Sequence, residues 1–236
     1  MSGFPTPAKL QLLNVVHQNR TSALQEYAVM NYGIAEGAYE VTLDHRFETA
    51  SIYPAFTPNW NTTVYLESVT STQFKVRFGT AAGRSAALTY RISRTGGTIS
   101  VAALATSGTL THNLNDATAR YFFTPDWNTT IYATAKAANS ITLGWATQPS
   151  AAQTIRYVKF DDSDGQSVSP TAGDTTALIT HNQGNRFTHA FFTPSWNAVV
   201  YPDDRLRRDN DLRAIYQTPP PSGANIDVVT AEPLIA

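Results

Sequence analysis

Apolar residues recur at every second position through most of this chain. Tyr39, Val41, Leu43, His45 and Phe47 alternate with mostly polar neighbours, the period of a strand with one buried face. Residues 51–56, 63–69, 73–78 and 87–93 continue the pattern, and residues 131–135, 140–145 and 154–160 repeat it further on. Pro54 lacks a ladder N–H, so its strand is expected at a sheet edge. The N-terminal residues 1–36 do not match this pattern. There residues 9–18 and 22–31 predict two short helices with Leu10, Leu13, Val16, Leu24 and Tyr27 as apolar positions.

The strands belong to a threefold internal repeat. FTPNWNTTVY begins at Phe56, FTPDWNTTIY at Phe123 and FTPSWNAVVY at Phe192. Their tryptophans Trp60, Trp127 and Trp196 stand 67 and 69 residues apart, and His45, His112 and His181 each lie fifteen residues upstream. Phe74, Val76 and Phe78 match Ile141, Leu143 and Trp145, and Tyr90 matches Tyr157. Four to six short strands per copy predict an all-β chain of three tandem small β-sandwich or open-barrel modules behind a short, partly helical N-terminal segment. The expected divisions are an arm or cap over 1–36, modules over 37–95 and 98–160, a linker over 161–174, and a divergent third module over 175–236. A unit of about 60 residues hides only about 60% of its unfolded surface, so the copies are expected to stabilise one another or another subunit.

Composition narrows the function classes. Of 236 residues, 15% are charged, against roughly 25% in an average soluble domain, and the formal net charge is −1. That balance gives no electrostatic reason to expect nucleic-acid or membrane partners. The absence of cysteine excludes disulfides, thiolate catalysis and cysteine-bound metal. No apolar run approaches the roughly 18–20 residues of a membrane helix, and MSGFPTPAKL lacks the regions of a signal peptide.

The candidate sites divide between architecture and binding. In the corner motif, Pro58, Pro125 and Pro194 fix φ, Thr and Asn bond the turn, and the three Trp cover a core end. The same Trp side chains, if exposed, would make a multivalent platform for a glycan. The histidines continue apolar registers and suit strand ends. If the copies pack about a pseudo-threefold axis, the three imidazoles could instead meet at one metal. His189 stands outside the repeat and receives no role. Asp161, Asp162 and Asp164 lack the spacing and closing Glu of a calcium loop, so no metal or cofactor is expected. The sequons at Asn61 and Asn128 matter only in a secretory pathway. The insertion DDRLRRDND (residues 203–211) alternates sign and suggests a local ion-pair cluster. Its Arg205, Arg207 and Arg208, with Leu10, Leu13 and Val16 of the arm, are the candidate partner contacts. No phosphate loop, HExxH or GxSxG is present, and no catalytic residue is expected.

Thr111-His112-Asn113 and Thr180-His181-Asn182, with the TPxWNTT corner and the pieces SITLGWAT and QFKVRFGT, resemble a repeat of tailed-bacteriophage virion proteins. In that family small β-sandwich modules opening on a "THNLG" stretch occur in capsid decoration proteins and in tail or fibre components. Some are similar to the H-type lectin fold, which usually assembles as trimers. His181-Asn-Gln-Gly keeps the glycine of that opening, whereas His112-Asn-Leu-Asn and His45-Arg-Phe depart from it. The resemblance implies a non-enzymatic structural protein located in the virion and assembled in the host cytoplasm. A capsid decoration or cement protein comes first, with other virion proteins (the major capsid protein or tail proteins) and copies of itself as partners. A carbohydrate-recognition module of a tail fibre, or a tail, baseplate or connector part, are the alternatives.

Overall fold

The computed structural model describes residues 29–159, 165–184 and 188–231. Leu10, Leu13, Val16 and the helix expected over 9–18 lie outside them, as do Asp161, Asp162 and Asp164. The described chain is all-β. Its first third holds β1 (Val29–Gly33), β2 (Glu40–Asp44), β3 (Tyr53–Pro58), β4 (Val64–Val69), β5 (Gln73–Phe78) and β6 (Ala87–Ser93). The second holds β7 (Gly97–Val101), β8 (Ser107–Thr111), β9 (Tyr121–Pro125), β10 (Ile131–Ala137), β11 (Ser140–Trp145) and β12 (Gln153–Lys159). The third holds β13 (Gly165–Val168), β14 (Thr176–Thr180), β15 (His189–Pro194), β16 (Val200–Pro202), β17 (Asp211–Tyr216) and β18 (Ile226–Ala231).

Each third is one module with the same topology. Its sixth strand lies between the first and third, and its fifth between the second and fourth, all antiparallel. The two sheets close over one core. In module 1 Leu43, Phe74 and Val76 of one sheet meet Leu88, Tyr90 and Ile92 of the other. Ile141, Leu143 and Ile155 do this in module 2, and Leu212, Tyr216 and Val228 in module 3. The strict alternation of the fifth strand puts Phe74, Val76 and Phe78 on the buried face while Gln73, Lys75 and Arg77 face out. Pro54 lies in β3, an edge strand as expected.

The first strand of every module departs from the sequence reading. Residues 29–31, expected to end a helix, form β1 and pair with β6, from Val29↔Arg91 to Gly33↔Ala87. Module 1 therefore begins before residue 37. β7 starts ahead of residue 98, the expected start of module 2, and β13 lies inside the expected linker. These strands have four or five residues at sheet edges, and distant residues of the sixth strand hold them. A short window of sequence carries little trace of such pairing.

The modules close into a ring. The fourth strand of each packs on the third strand of the next: β4 on β9, β10 on β15, and β16 back on β3. β3, β9 and β15 also contact one another around a common axis. Ala55, Phe122 and Phe191, at one repeat position, fill that axis with Val29, Val158 and Val229. Phe122 and Phe191 meet edge to face at 5.8 Å. Residues related by the repeat thus meet at one axis, as the subunits of a trimer would.

Candidate functional site

The corner motif is consumed by the fold. In TPxW, the x residue caps the start of the sixth strand. The Ala87 N–H donates to Asn59 Oδ1 at 2.8 Å, the Thr154 N–H to Asp126 Oδ1 at 3.0 Å, and the Asn225 N–H to Ser195 Oγ at 2.8 Å. Burial lifts the Asp126 carboxyl above its ordinary range, against the pull of the Thr154 N–H. The first Thr of NTT holds the loop after the fifth strand: the Thr80 N–H donates to Thr62 Oγ1, and the Thr147 N–H to Thr129 Oγ1. Pro58, Pro125 and Pro194 end their strands and are buried.

The three indoles cover core ends. Trp127 and Trp196 are buried, and their Nε1–H groups donate to the carbonyls of Thr147 and Thr218 at 2.8 and 2.9 Å. They stand edge to face with Trp145 and Tyr216. Trp60 is half-buried against Phe78, and its Nε1 has no hydrogen-bond partner. Trp127 and Trp196 leave little ring surface for a sugar to stack on.

The repeat histidines open a built turn. Their N–H groups donate to Thr72, Asn139 and Asn210 carbonyls at 2.7–2.9 Å. His112 and His181 then accept, at Nδ1, the N–H two residues on. Asn113 and Asn182 take φ of 54° and 56°, and the third residue after each histidine, Glu48, Asn115 or Gly184, takes 53°, 52° or 64°. That left-handed turn explains the Asn, Asn and Gly of the motif. His45 packs on Phe74 and meets the Thr70 carbonyl through Nε2, and His112 stacks on Tyr121. Burial lowers the basicity of His45 and His181. Each histidine serves its own module, and no group of three His, Asp or Glu able to hold a metal occurs among the described residues.

Module-specific chemistry gathers at the seams. Between modules 1 and 2, Thr124 Oγ1 donates to the Pro54 carbonyl at 2.7 Å, and Thr63 bonds Asn128. Between modules 2 and 3, Thr193 Oγ1 donates to the Tyr121 carbonyl at 2.8 Å, and Lys136 pairs with buried Asp227. Lys136 also donates to the Ala119 carbonyl at 3.2 Å. A cleft of about 470 Å³ opens beside this pair, lined by Thr134, Ser167, Ser195, Ser222 and Asn225 among others.

The seam between modules 3 and 1 is filled by the charged insertion. Asp203 N-caps a 3-10 turn (Asp204–Leu206) and accepts from Arg213 Nε at 2.9 Å. Burial opposes the Asp203 charge, but Arg213 and the Arg205 N–H keep its carboxyl below the ordinary value. Asp204 accepts from Asn59 Nδ2 of module 1 at 2.6 Å and pairs with Arg207 at 2.5 Å. Arg207 also donates to the Thr188 carbonyl. Of the three candidate partner arginines, Arg205 and Arg208 are exposed while Arg207 is occupied within the chain. Deeper in this seam His189 Nδ1 and the Thr89 hydroxyl share a hydrogen bond of 3.1 Å.

Sequence reasoning missed Lys136, Asp227, Thr89 and the role of His189. The available signal was disagreement between copies. Where His189 stands the other modules have Tyr53 and Arg120, and where Asp227 stands they have Thr89 and Arg156. No family model, curated protein or solved structure matches this chain.

Proposed function

We propose that this chain is a non-enzymatic structural protein of a tailed-phage particle, built from three tandem β-sandwich modules. In this reading it is a decoration protein that seats on the assembled head. The observation that carries it is the ring: the same fourth-strand-on-third contact recurs at all three seams around one apolar axis. One chain then presents the outline of a trimer to a threefold or quasi-threefold position on a capsid lattice.

The outer sheets support contact with unlike surroundings. In module 1 Lys75 bridges Glu40 and Glu67, each at 2.9 Å, and Arg77 reaches both acids. Module 2 carries Ser107, Thr134, Thr142 and Gly144 at the equivalent places. Module 3 carries exposed Leu178 and half-buried Ile215. Fusing three copies lets each outer face diverge, which a homotrimer cannot do. The glycan-binding alternative loses its platform where Trp127 and Trp196 are buried.

The test is cosedimentation of the purified protein with mature and precursor heads of a phage that carries it, with the bound chains counted. One chain per threefold position and a rise in the temperature at which heads rupture are expected. Absence of binding to either head form, or binding to tails alone, overturns the assignment.

A further inference from the structure

A closed ring drawn from one chain has one seam unlike the other two. Module 1 passes to module 2 through residues 94–96, and module 2 to module 3 through residues 160–164. Such short tethers keep neighbours at high effective concentration, so a seam that parts closes again. No peptide bond joins module 3 back to module 1. Only noncovalent contacts close the ring there.

Those contacts include an ionisable group without an acid of its own. His189 begins β15, is 6% exposed, and meets Thr89 of β6 across the seam. At the neighbouring seam the place of Thr89 is taken by Asp227, which neutralises Lys136. A cation formed at His189 would meet a hydroxyl instead. Arg207 faces it from the insertion, and Arg91 lies two residues along β6 from Thr89. Asp204 is the nearby acid, but Arg207 and Asn59 already engage it.

We infer that the seam between modules 3 and 1 is an acid-sensitive gate: protonation of His189 parts module 3 from module 1 and opens the ring with the modules still folded. Burial first, and Arg207 second, hold the imidazole neutral down to about 4, with Asp204 opposing, whereas an exposed histidine titrates at 6.5. The closed ring therefore resists the proton and the open one accepts it. Between those two values each pH unit favours the open form tenfold, about 300-fold in all.

The cysteine-free chain allows unique label pairs. Spin labels on Arg84→Cys and Asp209→Cys, both exposed, report across the gate, and labels on Leu104→Cys and Leu178→Cys report between modules 2 and 3. At pH 7.5 both distances should be narrow. At pH 4 the first should lengthen and broaden while the second and the far-UV spectrum hold, and His189→Gln should keep the first short. An unchanged gate distance at pH 4, both pairs lengthening together, or His189→Gln opening like the parent overturns the gate. Hydrogen exchange on the unsubstituted chain gives a second reading. Peptides containing Asn59 and Thr89 should lose protection at pH 4 ahead of those containing Phe74 or Leu143, and uniform loss contradicts the inference.

Discussion

The seam between modules 2 and 3 and the seam between modules 3 and 1 rest a fourth strand on a third strand, yet opposite chemistry holds them. The first joins Lys136 to Asp227 beside an open cleft. The second sets a neutral histidine against a threonine and fills the space with Asp204 and Arg207. The backbone repeats because module cores repeat, and a core admits few solutions at a given strand register. A seam is free to vary once its strands are placed. Connectivity then decides what each needs, and the unlinked seam is the one the insertion spans.

Five substitutions, two of them combined in a double variant, probe this contrast. The largest effect belongs to the axis that both seams share. Phe191→Ala, at a fully buried site, should cost about 4 kcal/mol in chemical denaturation. A loss below about 1 kcal/mol would show that the modules stand without the axis.

Lys136→Met comes next, because it leaves Asp227 buried and unpaired. It should cost about 3 kcal/mol, the low end for a broken buried pair, since Lys136 keeps 24% of its side chain exposed. Adding Asp227→Leu should recover most of that loss. Equal losses in the single and double variants would mean that the pair does not hold the seam.

The seam between modules 3 and 1 should instead answer to pH. The closed ring favours neutral His189, so its stability is full above 6.5 and falls as pH drops toward 4, where the opened or unfolded chain is protonated and the closed one is not. The loss from this one group is about 3 kcal/mol across that window. His189→Gln should flatten the profile by that amount in urea titrations at stepped pH, and parallel profiles would refute the assignment. The smallest effect is that of Thr193→Val, about 1 kcal/mol for one seam hydrogen bond, read from the shift in denaturation midpoint.

The repeat was legible because a corner uses the same residues each time. Trp60, Trp127 and Trp196 mark the same turn, and the Asn, Asn and Gly after the histidines mark a left-handed one. The fifth and sixth strands of module 1 could be placed to the residue, since Phe74, Val76 and Phe78 alternate cleanly. The first strands were hidden because their hydrogen bonds go to residues about sixty positions away. A threefold axis enters the sequence reading as a condition on the histidines, which in fact serve separate modules. Its axis residues Ala55, Phe122 and Phe191 sit in the repeat like any other apolar position. Lys136 and Asp227 lie ninety-one residues apart with nothing in either segment to pair them.

Small-angle scattering with a parallel molar-mass measurement, at neutral pH over a range of concentrations, tests the closed ring most directly. A closed ring should give a scattering curve fitted by three modules about one axis, with a radius of gyration near the ~18 Å of a compact chain of this length. A rod of three modules end to end, with a much larger radius at the same mass per chain, would contradict it.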